Sequence, residues 1–296
     1  MSRKMTMKKP PAGFKIKVQP LHNILLQKGN ELSVTEFEEL IKTHISELNA
    51  FSSGSTILSW AVVNAKYDFL EVLMRYRADP NVVSRHFETP IMEAAWLGDE
   101  RAFKMLIANY DYLDLGVFNK KNQSIMHLAA QGKSTFIVEY LLGKYKEIKW
   151  DLNCIDNDGM YPLSYAIKFD QVEIVKLLLD SGFSKLSEKN RDNYKPIHWA
   201  AIFNATESLK YLINLGANKN SITREADTPL HLGVHFRSFA CINILLNTRP
   251  LPHLYVRNRW GQTFYDNIRT SIGEPYEHLI DFDLNGHGNH LPNPFL

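Results

Sequence analysis

Apolar residues along this chain come in short blocks that return at a nearly constant interval. Seven segments align on one another: Thr56-Ile57-Leu58-Ser59-Trp60-Ala61, Thr89-Pro90-Ile91-Met92-Glu93-Ala94, Ser124-Ile125-Met126-His127-Leu128-Ala129, Tyr161-Pro162-Leu163-Ser164-Tyr165-Ala166, Lys195-Pro196-Ile197-His198-Trp199-Ala200, Thr228-Pro229-Leu230-His231-Leu232-Gly233 and Thr263-Phe264-Tyr265-Asp266-Asn267-Ile268. Their first residues are 33, 35, 37, 34, 33 and 35 positions apart. A period of this size marks a repeat architecture, in which each period is one supersecondary unit.

The elements inside a period follow from residue chemistry. A turn comes first, as in Asp156-Asn157-Asp158-Gly159 and Asn258-Arg259-Trp260-Gly261, built from residues that tolerate tight bends. Pro90, Pro162, Pro196 and Pro229 then take the first helical position, where a missing N–H leaves no bond unmade. The short helix that follows carries Ala61, Ala94, Ala129, Ala130, Ala166, Ala200 and Ala201, small enough for a neighbouring helix to approach closely. About ten residues on, the spacing predicts a second helix, clearest in Val172, Ile174, Val175, Leu177, Leu178 and Leu179, closed by glycine caps such as Gly182 and Gly216. One such unit cannot bury its own apolar face, so the units must share a core as a nearly one-dimensional array.

The segments resemble the ankyrin signature T-P-L-H-x-A, and the interval is close to the ankyrin period of 33. The resemblance covers roughly residues 50–272. It implies an all-α solenoid of about seven helix-turn-helix repeats with β-hairpin-like fingers. The first segment lacks the proline and the histidine, and the last keeps little beyond Trp260-Gly261-Gln262-Thr263, so both read as end repeats. The 37-residue interval contains Gly143 to Trp150, which must lengthen the second helix or the loop after it. The segments before Asp114 and around Arg249-Pro250-Leu251-Pro252 take up the two-residue excesses. Ahead of the array, Ser33-Val34-Thr35-Glu36 opens a capping pattern that runs to about Leu48, with Phe37, Leu40, Ile41, Ile45 and Leu48 on one face. The expected organisation is a disordered basic tail over 1–20, an N-terminal capping helical segment over 21–50, the repeat array over 51–282 and a flexible tail over 283–296.

Composition narrows the function classes. With 296 residues, 45% hydrophobic and 22% charged, the chain has the make-up of a soluble folded protein. The net charge is +2, but residues 1–20 hold six cations and no acid, which leaves −4 on the remainder. A mildly acidic body lacks the basic face a polyanion needs, so no nucleic-acid partner is expected. Two cysteines, Cys154 and Cys241, are too few for a disulfide framework and suit a reducing, cytoplasmic compartment. No run of about 18 apolar residues occurs, so no membrane span is expected, and the first 20 residues lack the apolar stretch of a secretory signal. Delivery into a host cell by a route that needs no signal peptide is compatible with this sequence.

Candidate chemistry is sparse. His127, His198 and His231 hold the fourth place of the signature, where the resemblance implies a structural role: bonding neighbouring backbone and tying repeats together. His287 and His290 form an H-x-x-H in a Gly/Asn-rich tail without a helix or a third ligand. No phosphate-binding loop and no nucleophile elbow is present. Neither a cofactor, nor a metal, nor a catalytic residue is therefore expected. The rival is an effector or regulatory protein with a cryptic activity based on Cys154 or Cys241, although neither the first 32 nor the last 24 residues could fold a catalytic domain.

In ankyrin proteins the finger tips and the ends of the first helices form the usual, concave binding surface. At the last place of the first helix stand Leu97, Phe169, Phe203 and Phe236, preceded by Trp96, Ile202 and His235. The fingers add Arg85, His86, Lys120, Lys121, Arg191, Arg224 and Trp260. The rings either fold down into the core or face a partner, and aromatic residues dominate interfaces where they are exposed. The expectation is a monomeric module that binds a protein partner.

Overall fold

A computed structural model describes residues 20–29, 31–51, 54–145 and 151–271. The basic tail over 1–20, apart from Pro20, lies outside these residues, as do 146–150 of the longest interval and the C-terminal stretch with His287 and His290. The chain divides into two compact units, the first ending at Lys120 and the second beginning at Lys121.

The first unit contains α1 (Pro20–Lys28), α2 (Val34–Thr43), a 3-10 turn (Ile45–Glu47), α3 (Ile57–Val63), α4 (Tyr67–Arg75), α5 (Pro90–Leu97) and α6 (Glu100–Asn109). α3 turns back into α4 and α5 into α6; α3 lies on α5, while α2, α4 and α6 stack side by side. The expected capping box is formed: the Glu36 N–H donates to the Ser33 hydroxyl at 3.3 Å, and the Ser33 N–H donates to the Glu36 carboxylate at 2.8 Å. Phe37 of α2 stacks on Phe69 of α4, ring centroids 4.0 Å apart and planes 4° from parallel. The apolar face is shorter than the spacing suggests. α2 stops at Thr43, so Ile45 falls in the separate 3-10 turn and is exposed, and Leu40 is half-buried; Phe37, Ile41 and Leu48 alone are buried.

A separate helix, α1, precedes the capping pattern that opens at Ser33. It begins at Pro20, as α5 begins at Pro90, and Pro20-Leu21-His22 repeats the proline, apolar, histidine order of the signature. Leu21 and Leu25 are fully buried, and Gly29 behind the helix packs so tightly on Trp60 of α3 that a Cβ there would lie 2.7 Å from the indole.

The second unit holds α7 (Ile125–Gln131), α8 (Thr135–Tyr145), α9 (Pro162–Lys168), α10 (Val172–Asp180), α11 (Pro196–Phe203), α12 (Thr206–Asn214), α13 (Pro229–His235), α14 (Phe239–Asn247) and α15 (Phe264–Ser271). The first helices α7, α9, α11, α13 and α15 form one file and the second helices α8, α10, α12 and α14 another. Ala129, Ala130, Ala166, Ala200 and Ala201 are buried between first helices, and Ile174, Val175 and Leu178 of α10 are buried below them. The longest interval begins as an extension of the second helix, since α8 has 11 residues where α10 has 9.

Among the described residues the fingers form no strand; they are tight turns organised by one side chain each. The Oδ1 of Asp156 accepts the N–H of Asp158 and of Met160, both at 2.9 Å. Asn190 does the same for Asp192 and Tyr194, and Asn258 for Trp260 and Gln262. Each turn then needs one left-handed residue. Gly159 and Gly261 supply it freely; Ala226, at φ 60°, does so against the steric preference of a Cβ.

Three buried histidines tie consecutive repeats of this unit. His198 Nδ1 accepts the Lys195 N–H at 2.9 Å, which leaves the proton on Nε2 to donate to the Ser221 carbonyl of the next repeat at 3.0 Å. His127 links Ser124 to Met160 and His231 links Thr228 to Gln262 in the same way. Burial disfavours the charged ring, so His127 and His198 fall to about 4 and His231 also titrates below its ordinary value.

Two outcomes are expected. A ring whose folded pKa lies below its unfolded one contributes stability that is complete above about pH 6.5 and is lost as pH falls toward about 4. Urea unfolding of wild type and His198→Asn should therefore show a stability gap at pH 7 that narrows by on the order of 2–3 kcal/mol at pH 4.5; a constant gap would mean the ring is not held neutral. Ala226→Gly should raise stability by about 1 kcal/mol by relieving the left-handed residue, and a lowered urea midpoint would contradict that geometry.

Candidate functional site

The sequence singled out two rows of residues, one at the first-helix ends and one at the finger tips. In the first unit Trp96 and Leu97 close α5 and remain 53% and 42% exposed. Gly98 follows in the left-handed conformation and Asp99 caps α6 by accepting the Ala102 N–H at 3.0 Å, so the chain reverses before these side chains can fold over. Arg85 and His86 sit exposed on a finger, the Arg85 Nε donating to the His86 ring at 3.0 Å. The Lys120 ammonium lies 5.5 Å from the Phe87 ring centroid. Successive fingers are joined by backbone bonds, Arg85 N–H to Gly54 carbonyl at 2.7 Å and Lys120 N–H to His86 carbonyl at 2.9 Å.

In the second unit the row runs over the ends of α9, α11 and α13. Phe169 and Phe236 are 51% and 49% exposed, each just beyond the last turn of its helix. Phe203 differs: it is only half-buried because it lies on Trp199 one turn back, centroids 6.0 Å apart and planes 12° from parallel. Ile202 is half-buried and His235 exposed, its ring set edge-on to Phe236. The sequence reading passed over Lys168, which shares the register of Trp96, Ile202 and His235. Its ammonium lies 5.9 Å from the Phe169 ring and 5.3 Å from the Phe203 ring, bridging two repeats. Reading that register for charge as well as for apolar character would have found it.

The fingers of this unit are linked as in the first, by Asn157 N–H to Lys121 carbonyl, Arg224 N–H to Asp192 carbonyl and Arg259 N–H to Glu225 carbonyl, each 2.8–2.9 Å. Lys121 and Arg191 are exposed, Arg224 faces Asp192 at 3.7 Å, and Arg259 pairs with Glu225 at 2.7 Å. Trp260, at the tip of the last finger, is 64% exposed.

The two thiols, the candidates for covalent chemistry, are not activated. Burial raises both thiols, Cys154 to about 11 and Cys241 to about 12, the opposite of what a nucleophile requires. The Cys241 thiol donates to the Ala200 carbonyl at 3.4 Å inside the core. Among the described residues no cluster of three His, Cys, Asp or Glu side chains could hold a metal, and no helix is long and apolar enough to cross a membrane.

Known proteins share this architecture. The chain is 25% identical over 257 residues to ankyrin repeat protein L371 of Acanthamoeba polyphaga mimivirus, covering 83% of this chain and 32% of that one. It is 22% identical to the NAD-dependent deacetylase sir2B of Dictyostelium discoideum over 79% of this chain and 31% of the deacetylase. It thus spans about a third of the length of these relatives. Among solved structures, the ankyrin repeat domain of Bcl-3, a member of the IkappaB protein family, superposes with a TM-score of 0.59 at 23% identity, over 78% of this chain and 99% of that domain. The family model for ankyrin repeats matches residues 91–189 and 183–252, more than half of the sequence. With the period, the proline starts and the histidine links already in place, that match settles the family: the chain belongs to the ankyrin repeats.

Proposed function

We propose that this chain is a binding module that holds a protein partner on the face formed by its first-helix ends and finger tips, the concave side in ankyrin proteins. The observation that carries the reading is the exposure of large apolar side chains at the first-helix ends: Phe169 and Phe236 at the same repeat position in the second unit and, within the first unit, Trp96 and Leu97 at the end of α5. Large apolar groups held in water by well-ordered helix ends mark partner surfaces, and aromatic side chains supply most interface energy. The charged fingers give the polar rim that usually surrounds such a centre. The rival enzymatic reading finds no support in the cysteines, whose thiols stay protonated, and the sir2B likeness covers under a third of that protein.

The test uses variants that leave the core intact. Phe169→Ala and Phe236→Ala should each keep the melting temperature within a few degrees of wild type, because each ring is half in water. Affinity for proteins captured by the wild type should fall on the order of thirtyfold. Leu215→Ala, an exposed apolar residue at the far end of the second helix α12, serves as the control and should bind as wild type does. Folded Phe variants that bind with wild-type affinity would overturn the reading.

A further inference from the structure

Charge on the second unit's face is unevenly satisfied. Several of its acids are engaged within the fold: Asp170 caps α12 by accepting the N–H groups of Ser208 at 2.8 Å and Glu207 at 3.1 Å. Glu173 pairs with Lys176 at 2.7 Å and Glu207 with Lys210 at 2.6 Å, each within its own second helix. On the fingers Asp192 faces Arg224 and Glu225 pairs with Arg259, while Asp158 and Arg191 are exposed and take part in none of the ion pairs among the described residues. The cations at the first-helix ends have no such counterpart. Lys133 beyond α7, Lys168 at the end of α9 and Arg237 beyond α13 are exposed and take part in none of the ion pairs among the described residues. They alternate with the rings: Lys168 between Phe169 and Phe203, Arg237 next to Phe236.

Resting on the binding-module reading above, we infer that the partner of this face is an extended acidic protein segment whose carboxylates meet Lys133, Lys168 and Arg237 while its apolar side chains settle among Phe169, Phe203 and Phe236. The dimensions agree. Helices packed about 8–10 Å apart place the four first helices α7, α9, α11 and α13 across roughly 30 Å, which an extended segment of about nine residues spans at about 3.3 Å each. Rings beside cations would also suit a single-stranded nucleic acid. The balance favours the peptide: three separate cations on a body that carries −4 outside its first 20 residues do not make a polyanion groove.

The probe is a fluorescein-labelled twelve-residue peptide carrying four glutamates, two leucines and a phenylalanine among serines and glycines. Two counterparts have lysine or serine in place of every glutamate, and a labelled oligo(dT) of twelve nucleotides completes the set. Anisotropy with the full chain should show the glutamate peptide binding at least tenfold tighter than the serine one and the lysine one weakest, the difference shrinking as salt rises. The double variant Lys168→Glu/Arg237→Glu, whose melting temperature should match wild type, should lose at least tenfold for the glutamate peptide and gain for the lysine peptide. Phe169→Ala/Phe236→Ala should weaken every peptide alike. Equal binding of the three peptides would overturn the acidic specificity and leave the binding-module reading standing. Binding of none, or tighter binding of oligo(dT) that the charge-reversed variant abolishes, would overturn the inference as well.

Discussion

No repeat of this chain can cover its own apolar surface, and every other feature of the fold answers to that constraint. A pair of helices seven to eleven residues long, such as α9 with α10, has an apolar face on both sides. Alone it would be marginal, because helices this short owe their stability to packing. In the second unit each first helix touches the next first helix and each second helix the next second helix, so neighbours complete one another's core. Alanines at 129, 130, 166, 200 and 201 let the first helices approach, and the three histidines fix the slide of one repeat on the next at three of the junctions. A neutral ring with one nitrogen on its own helix cap and the other on the following repeat is a ruler as well as a bond.

The same constraint explains what could be read from the sequence. The period, the proline starts and the histidine positions are local and repeated, so they survive without knowledge of any contact. Features decided by a single neighbour do not. Helix α1 has its Pro20-Leu21-His22, but glutamine stands where the signature has threonine and the next motif begins 37 residues on. Ile45 fits the apolar spacing of α2, yet the helix ends at Thr43, and periodicity carries no information about where backbone bonding stops. Phe169 and Phe203 hold the same register and differ in exposure because of the residue one turn earlier. Trp199 offers Phe203 a surface to lie on, whereas Tyr165 is turned inward, its hydroxyl donating to Asp156 at 2.7 Å.

In the second unit, polar groups of the interior and of the face do different work. Inside, the histidines, Asp156 and the Cys241 thiol all serve the stacking, and burial keeps the rings and the thiol uncharged. At the first-helix ends, water-exposed rings and unpaired cations stand on elements held from both sides by neighbouring repeats. A surface fixed in this way binds without first having to order itself, which favours recognition.

The central claim is that stability resides in contacts between adjacent repeats and nowhere further. A pair of double-mutant cycles tests it most directly, using buried leucines on three consecutive second helices: Leu141 of α8, Leu178 of α10 and Leu212 of α12. Urea unfolding of the alanine variants should give a coupling energy of about 0.5–3 kcal/mol for Leu178 with Leu212, on adjacent helices, and additivity within about 0.5 kcal/mol for Leu141 with Leu212, two repeats apart. Equal coupling in both cycles would contradict the nearest-neighbour account.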